Sequence, residues 1–571
     1  MSLTNLHGLE DEHARRAQQH RWLKATGRWL LIYGLLLGGA IIFSLPFVWM
    51  IGTSFKVDRE MFGEQITFLP MRPVPAQASP YLDAHYFPIP RGAIAELAIP
   101  VLEDALRGID LGLPAAAANR DDASRLLAPG LLQRLQQVMP AATWKLPADQ
   151  LAAEIKGRVT PELAAETMRK VYRRLSLGGV RVRSLDLQEV DLTEGAPISS
   201  FWTVEGNAEA RLLDDLEGKT PIADLAYRFP EKGGEIRLTR TMTLPFPVDR
   251  LHRIQLFIRP DDSWHPVEFI VEKQGQRLMG NRPEHLGNFQ WSIVSLQDYG
   301  PDDESTKIRL WIPLLPQATG PGYVSGDHEV KVTLVMRQAS QLEAWWAKCQ
   351  KNYRGALDYI PFWRYAGTSV FLVVLNIVGT LFSCSIVAFS FARLHWPGRN
   401  LSFGLMMATM MIPGQVTMIP YFLIIKSLGW YNTLTPLWVM SLTGNAFNIF
   451  LLRQFMKGIP RDLEDAARID GCNSWQVYLN VILPLIKPTL ACIAIFTFMG
   501  VWNDFMGPLI YLSDQRLYPL SLGLYAFNVQ AGGNFGMMMA GSLLMTLPVV
   551  MIFFFAQKYF IQGVTLTGMK G

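Results

Sequence analysis

Six stretches of this chain are apolar and long enough to cross a lipid bilayer, and that property limits what it can fold into more than any other. A helix of about 20 apolar residues spans the roughly 30 Å hydrocarbon layer. Trp29–Ile51 and Ala366–Ala392 carry no charge. Leu401–Ile425 is also charge-free and contains Pro413 and Pro420, so a kink is expected there. Leu434–Leu452 is more polar, with Asn445 and Asn448, and Pro488–Leu512 contains Asn503 and Asp504. Met537–Ala556 is charge-free around Pro548. An α-helical, multi-pass membrane protein is the expectation. The run from Trp29 exceeds the length of a signal peptide core, and no small-x-small cleavage site follows it. It reads as a permanent anchor.

The distribution of basic residues orients the spans. Arg15, Arg16, Arg21, Lys24 and Arg28 precede the first span, Arg393 and Arg399 follow the second, and Arg453, Lys457, Arg461 and Arg468 follow the fourth. The opposite loops hold little beyond Lys426 and Arg516. Residues 1–28 and the segment 453–484 are therefore expected on the cytoplasmic side, with 29–56 as the first span. Residues 57–360 are expected outside and 361–571 as a five-helix membrane core. A domain as long as 57–360 translocates largely regardless of its charge.

That external segment reads as soluble sequence in two parts. Residues 92–178 have helical character. Thr160-Pro161-Glu162 is an N-cap with proline at the first helical position, and the helix is expected to end before Gly178-Gly179. Residues 196–338 alternate with period two, as in Ile254/Leu256/Ile258 and Val330/Val332/Leu334/Met336, which predicts an antiparallel sandwich or jelly roll. Trp202, Trp264, Trp291, Trp311 and Tyr299 are available as sugar-binding aromatics, against a core or docking role, which is the commoner fate of large rings. Asp298, Asp302, Asp303 and Glu304 read as a solvated turn rather than a calcium site, because no ligand register is present. Trp345-Trp346 are expected at the membrane interface.

The four cysteines, Cys349, Cys384, Cys472 and Cys492, show no zinc spacing and leave the soluble stretch without an internal disulfide. No metal site is expected. The net charge of +4 over 571 residues gives no case for a nucleic-acid partner.

One polar segment interrupts the apolar runs: Asp465-Ala466-Ala467-Arg468-Ile469-Asp470-Gly471, then Val481-Ile482-Leu483-Pro484. Pro460 can start a helix there, and Asp462, Glu464 and Asp465 favour its first turn. Leu463, Ala466, Ala467 and Asp470 share one face. The two alanines make that face flat and open to close approach. Gly471 can end the helix in a left-handed conformation and Ser474 can cap the next, which Trp475 opens. Two short helices at a sharp corner suit the transmission of a push from a soluble partner. The competing reading is an ordinary amphipathic surface helix.

The spacing of this segment resembles the "EAA" loop of ABC-importer permeases. Residues from about 359 to 571, with the first span, look like the MalG-type permease subunit of carbohydrate ABC importers. Leu45-Pro46 to Trp49, Trp396-Pro397-Gly398-Arg399, Met411 to Gln415, Trp502-Asn503-Asp504-Phe505 and Gln557-Lys558-Tyr559-Phe560 follow the same pattern. The resemblance implies six transmembrane helices in the type I importer permease fold, interrupted by an inserted α+β external domain about which it says nothing. It implies a bacterial inner-membrane location, with 57–360 periplasmic. The implied partners are a second, MalF-like permease, an ABC ATPase dimer and a periplasmic solute-binding protein, beside the lipid bilayer. Glu464, Asp465, Ala466, Ala467, Asp470 and Gly471, with Leu483 and Pro484, would couple to one ATPase, and Gly568 and Lys570 of the tail would approach the ATPase pair. Asp465 stands where the family usually has Glu. No phosphate-loop motif occurs in the chain. It is expected to bind no cofactor, and ATP and Mg would sit on the partner ATPase. Asn376, Gln415, Asn445, Asn448, Asn503 and Asp504 are candidates for the translocation pathway, against a role in helix–helix hydrogen bonding.

Two other classes compete. A membrane sensor with a ligand-binding sandwich would need a cytoplasmic output module, and the cytoplasmic segments are too short for one. A tethered carbohydrate-active enzyme would need paired carboxylates, and none can be nominated.

Overall fold

The computed structural model describes all residues except 1–3, 63–66, 84–85, 88–89, 91, 111–119, 194–196, 231–232, 286, 299–310, 530–534 and 565–571. Tyr299, Asp302, Asp303, Glu304, Gly568 and Lys570 lie outside the described residues.

Three helices are long and apolar enough to cross a membrane: Gly27–Ser54 within the helix Thr4–Ser54, Phe362–Arg393, and Phe535–Gln557 within the helix Phe535–Val564. Two bent pairs raise the number to five at most, among the described residues. Arg399–Thr409 and Gly414–Ser427 meet at 98°, with the break running from Met410 to Pro413, whereas Pro420 sits inside the second helix. Ser474–Leu485 and Lys487–Trp502 meet at 76°.

The expected continuous span Leu434–Leu452 is not there. Its first half is two 3-10 turns, Thr435–Leu437 and Val439–Thr443, and a helix begins only at Ala446. The reason lies on the neighbouring helix Phe362–Arg393. Asn376 donates to the Leu437 carbonyl at 3.0 Å and Ser383 to the Ser441 carbonyl at 2.8 Å. Cys384 Sγ accepts from the Asn445 N–H at 3.3 Å. Irregular backbone at membrane depth survives where side chains of the protein satisfy it. Gly379 makes the approach possible, because a Cβ there would stand 2.1 Å from Ser441 Oγ. The expected span Pro488–Leu512 is also interrupted: its helix stops at Trp502 and resumes as Met506–Tyr511.

The insertion has a helical layer and a β layer. Helices Ala93–Arg107, Arg120–Val138, Ala148–Arg158 and Pro161–Val171 enclose a core that includes Leu102, Leu131 and Ile155. Thr160 caps the last of them, accepting from the Leu163 N–H at 3.2 Å, with Pro161 at the first helical position. That helix ends at Val171, and Gly178-Gly179 lie inside the strand Leu175–Ser184 instead of terminating a helix. A Cβ on Gly178 would meet Phe257 at 3.0 Å and Trp291 at 3.3 Å, so the glycine admits an aromatic ring against the strand.

In place of the predicted sandwich, the described residues form one continuous 14-stranded sheet. Its path runs from the strand Thr220–Arg228 through Leu175–Ser184 and Leu251–Arg259 to Pro266–Lys273, Glu329–Arg337 and Glu235–Thr243. Strands from both ends of that path feed a single core, with Leu225 at one end, Leu238 at the other, and Phe269 and Val332 between. The sheet therefore curls around its own apolar face. Period-two alternation marks one buried face per strand equally well in either arrangement. The pairs are antiparallel apart from a short parallel ladder, Leu296–Asp298 beside Ile312–Leu314.

A ladder of rings and guanidiniums joins the two layers. Arg173 lies over Tyr86 and Phe289, and Arg259 over Phe289 and Trp291, at 4.9–5.4 Å. Helix Gln341–Tyr359 roots the insertion. Of its inward stripe, Ala344, Lys348 and Asn352 face the end of the first helix and the residues just after it, and Ala356 packs into the core of the membrane helices. Lys348 forms a buried ion pair with Glu60, and Asn352 donates to the carbonyls of Ser54 (2.9 Å) and Lys56 (2.7 Å). Trp264 is buried at this root beside Val57, Ala339 and Ala344. Trp202 is buried in the sheet core and Trp311 lies against Arg253. Trp291 is half-exposed and donates to Glu217 at 2.8 Å. Trp346 is exposed, whereas Trp345 is half-buried.

Candidate functional site: the 453–484 loop and its anchorage

The polar loop folds as the helix Asp462–Ile469, a corner, and the short helix Ser474–Val477. The first helix begins at Asp462 rather than at Pro460, since Arg461 occupies the N-cap. Asp462, Glu464 and Asp465 fill its first turn, where the exposed N–H groups and the helix dipole favour acids. Its C-terminus closes as a Schellman motif. The Cys472 N–H reaches the Ala467 carbonyl at 2.9 Å, and the Gly471 N–H reaches the Arg468 carbonyl at 3.0 Å. Gly471 has φ +87°, the left-handed conformation expected of it. The second helix is capped by Asn473, not Ser474: Asn473 and Gln476 exchange bonds of 2.8 and 2.9 Å in a capping box. A π turn, Tyr478–Ile482, then leads to half-buried Leu483 and exposed Pro484.

The expected face splits in two. Leu463, Asp465, Ala466, Ile469 and Asp470 are exposed, and Ile469 is 87% exposed, an unusual state for an isoleucine. Ala467 is half-buried and packs on the core of the membrane helices. Glu464 points inward, 4% exposed, and pairs with Arg393 Nη1 at 2.9 Å. Arg393 also donates to the Met456 carbonyl in the last turn of helix Ala446–Lys457 and to the Ile459 carbonyl (2.8 Å) just beyond it. Tyr478 makes a second tie, its hydroxyl 2.7 Å from Ser385 Oγ and its ring 5.2 Å from that of Phe389. The loop is thus a braced corner whose outer side, which includes Leu463, Asp465, Ala466, Arg468, Ile469 and Asp470, is uncovered.

The reading from sequence missed Ile469 and Arg393. Ile469 had a signal, standing three residues after Ala466 and four after Asp465 on the same helical face. Arg393 stood out as a basic residue after the second span and as the end of the Phe389 to Arg393 pattern that resembles the family's second cytoplasmic turn, but nothing in the sequence linked it to Glu464.

Most of the candidate pathway residues have local hydrogen-bond partners. Asn376 is spent on the Leu372 and Leu437 carbonyls. Asn445 caps its own helix by accepting from the Asn448 N–H, and Asn503 donates to the Met499 carbonyl. Asp504 accepts from the Gly507 N–H at 3.1 Å, and Gln415 is exposed.

The profile of the family described as "Binding-protein-dependent transport system inner membrane component" matches residues 384–566, which hold this loop. The arabinooligosaccharides transport system permease protein AraQ of Halalkalibacterium halodurans is 35% identical over 210 residues, 37% of this chain and 75% of the relative. The chain belongs to this family. It is a permease subunit of an ABC importer. Protein LplC of Bacillus subtilis is 34% identical over 38% of this permease and 78% of its own length. The diacetylchitobiose uptake system permease protein DasC of Streptomyces coelicolor is 30% identical over 39% of the permease and 80% of its own length. The solved structure of a bacterial ABC transporter that imports alginate is 27% identical, covering 37% of this chain and 79% of that one at a TM-score of 0.34. The relatives above match little more than a third of the permease, and the family profile begins at residue 384, after the insertion.

Proposed function

We propose that this permease moves a sugar or oligosaccharide inward across the bacterial inner membrane by alternating access, driven by a separate pair of ATPases that hold the ATP and Mg. The observation that carries the docking is the braced corner at 462–471, with exposed Leu463, Ala466 and Ile469 flanked by Asp465 and Asp470. One ATPase docks on that face. Gly471 fixes the corner, and Leu483 and Pro484 turn the chain back into the membrane. Glu464 and Ala467 act from behind, holding the helix to the membrane core. Gly568 and Lys570 approach the ATPase pair from the tail.

The carbohydrate assignment is supported by the printed names of AraQ and DasC. A second, MalF-like permease completes the translocation path. Six crossings result when the bent pair Arg399–Ser427 and the broken segment Thr435–Lys457 each count as one and the helix Lys487–Trp502 as another. Gln415, Asn445, Asn448, Asn503 and Asp504 remain pathway candidates, whereas Asn376 serves helix packing. Residues 57–360 lie in the periplasm, on the side from which a solute-binding protein delivers the substrate.

Affinity purification of the tagged chain in mild detergent, followed by mass spectrometry, tests the assembly. Stoichiometric recovery of an ATPase and a second permease is the expected result. Repeated recovery of the folded chain alone would refute it.

A further inference from the structure

We infer that helix Phe362–Arg393 and the loop 461–482 form one rigid lever, with Arg393 as its positioning residue; this rests on the ATPase-docking reading above. Ser385, Phe389 and Arg393 recur every four residues and so share one face of the helix. All three face the loop. Arg393 holds Glu464 of the docking helix, Phe389 packs against Tyr478, and Ser385 meets the Tyr478 hydroxyl. From the end of its own helix the Arg393 guanidinium reaches two further segments at once: the Met456 and Ile459 carbonyls at and just past the end of Ala446–Lys457, and Glu464. Its planar fork suits that task, and a lysine point charge does not. A push on Ile469 or Ala466 is therefore delivered to the end of one particular membrane helix, through this buried ion pair.

The test measures movement inside the chain. Spin labels at Asp462→Cys and Phe382→Cys, both exposed positions, report the distance between loop and helix, in a background with Cys349 and Cys472 changed to serine. The purified assembly is compared without nucleotide and after trapping with ATP, Mg and vanadate. In the native lever the distance changes by no more than about 2 Å on trapping, the scale of small helix shifts. The variant Arg393→Met/Glu464→Leu/Tyr478→Phe replaces both polar ties with apolar groups of similar size, which buried sites tolerate. There the distance moves by about 5 Å or splits into two populations. If that variant does not assemble, Arg393→Lys is read instead and shifts in the same direction by less. A role confined to stability would leave the trapping response unchanged. Identical responses in native and variant assemblies overturn the lever while leaving the docking reading intact. Absence of any ATPase from the native preparation overturns both.

Discussion

Two neighbouring acids, Glu464 and Asp465, occupy opposite environments on one turn of helix. Removing the Glu464 carboxylate leaves Arg393 buried without its counter-charge, which costs about 3–5 kcal/mol. Asp465 is exposed, and its replacement by Asn stays within about 0.5 kcal/mol. Thermal unfolding of purified Glu464→Ala and Asp465→Asn should separate the two by many degrees, and equal midpoints would count against the buried pair. In the insertion, His265 accepts the Ala339 N–H at Nδ1 (3.1 Å) and donates from Nε2 to the Ala76 carbonyl (2.9 Å), so only the neutral ring satisfies both. Burial lowers its pKa from 6.5, against the opposing pull of Asp261 and Glu343. His285 is lowered by burial as well. For such groups the unfolded chain binds more protons than the folded one. The stability they contribute is fully present above pH 6.5 and is lost as the pH falls toward the depressed folded values. The melting temperature should therefore fall between pH 7.5 and 5.5, and His265→Asn should shallow that slope without abolishing it. An unchanged slope would rule out His265 as a contributor.

Among the elements, the corner requires glycine at Gly471 for its left-handed conformation and not for space, since a Cβ there meets nothing within 4 Å. Gly471→Ala should cost about 1–2 kcal/mol through the left-handed conformation and reduce ATPase recovery. Gly471→Asn should cost less, because asparagine tolerates that region; equal losses would point to a steric cause. In the insertion, Phe289 is shared by two guanidiniums, each contact worth about 0.5–2 kcal/mol. Phe289→Ala should speed hydrogen exchange in helices Ala93–Val171 and leave the strands Pro266–Lys273 and Glu329–Arg337 protected. Uniform acceleration would show that the ladder does not separate the layers.

At the scale of the whole molecule, the sequence was readable wherever one segment decides its own conformation. The three charge-free helices, the Thr160–Pro161 start and the Gly471 stop are local matters of hydropathy, capping and φ. The rest depended on distant partners. Residues 435–445 abandon the helix because Asn376, Ser383 and Cys384, some sixty positions earlier, satisfy their backbone. Gly178 lies in a strand because Phe257 and Trp291 arrive from elsewhere. The inward turn of Glu464 is fixed by Arg393, 71 residues before it. Alternation alone did not distinguish a sandwich from a curled sheet.

The central claim is that the uncovered face of 462–471 meets an ATPase in the working assembly. A photo-crosslinking amino acid at Ile469, its most exposed side chain, tests this in intact cells. The account predicts a covalent adduct with a soluble protein carrying a G-x-x-x-x-G-K-[ST] phosphate loop, and no such adduct from a crosslinker at buried Val477. Adducts from Ile469 only with lipid or with an external protein would contradict it.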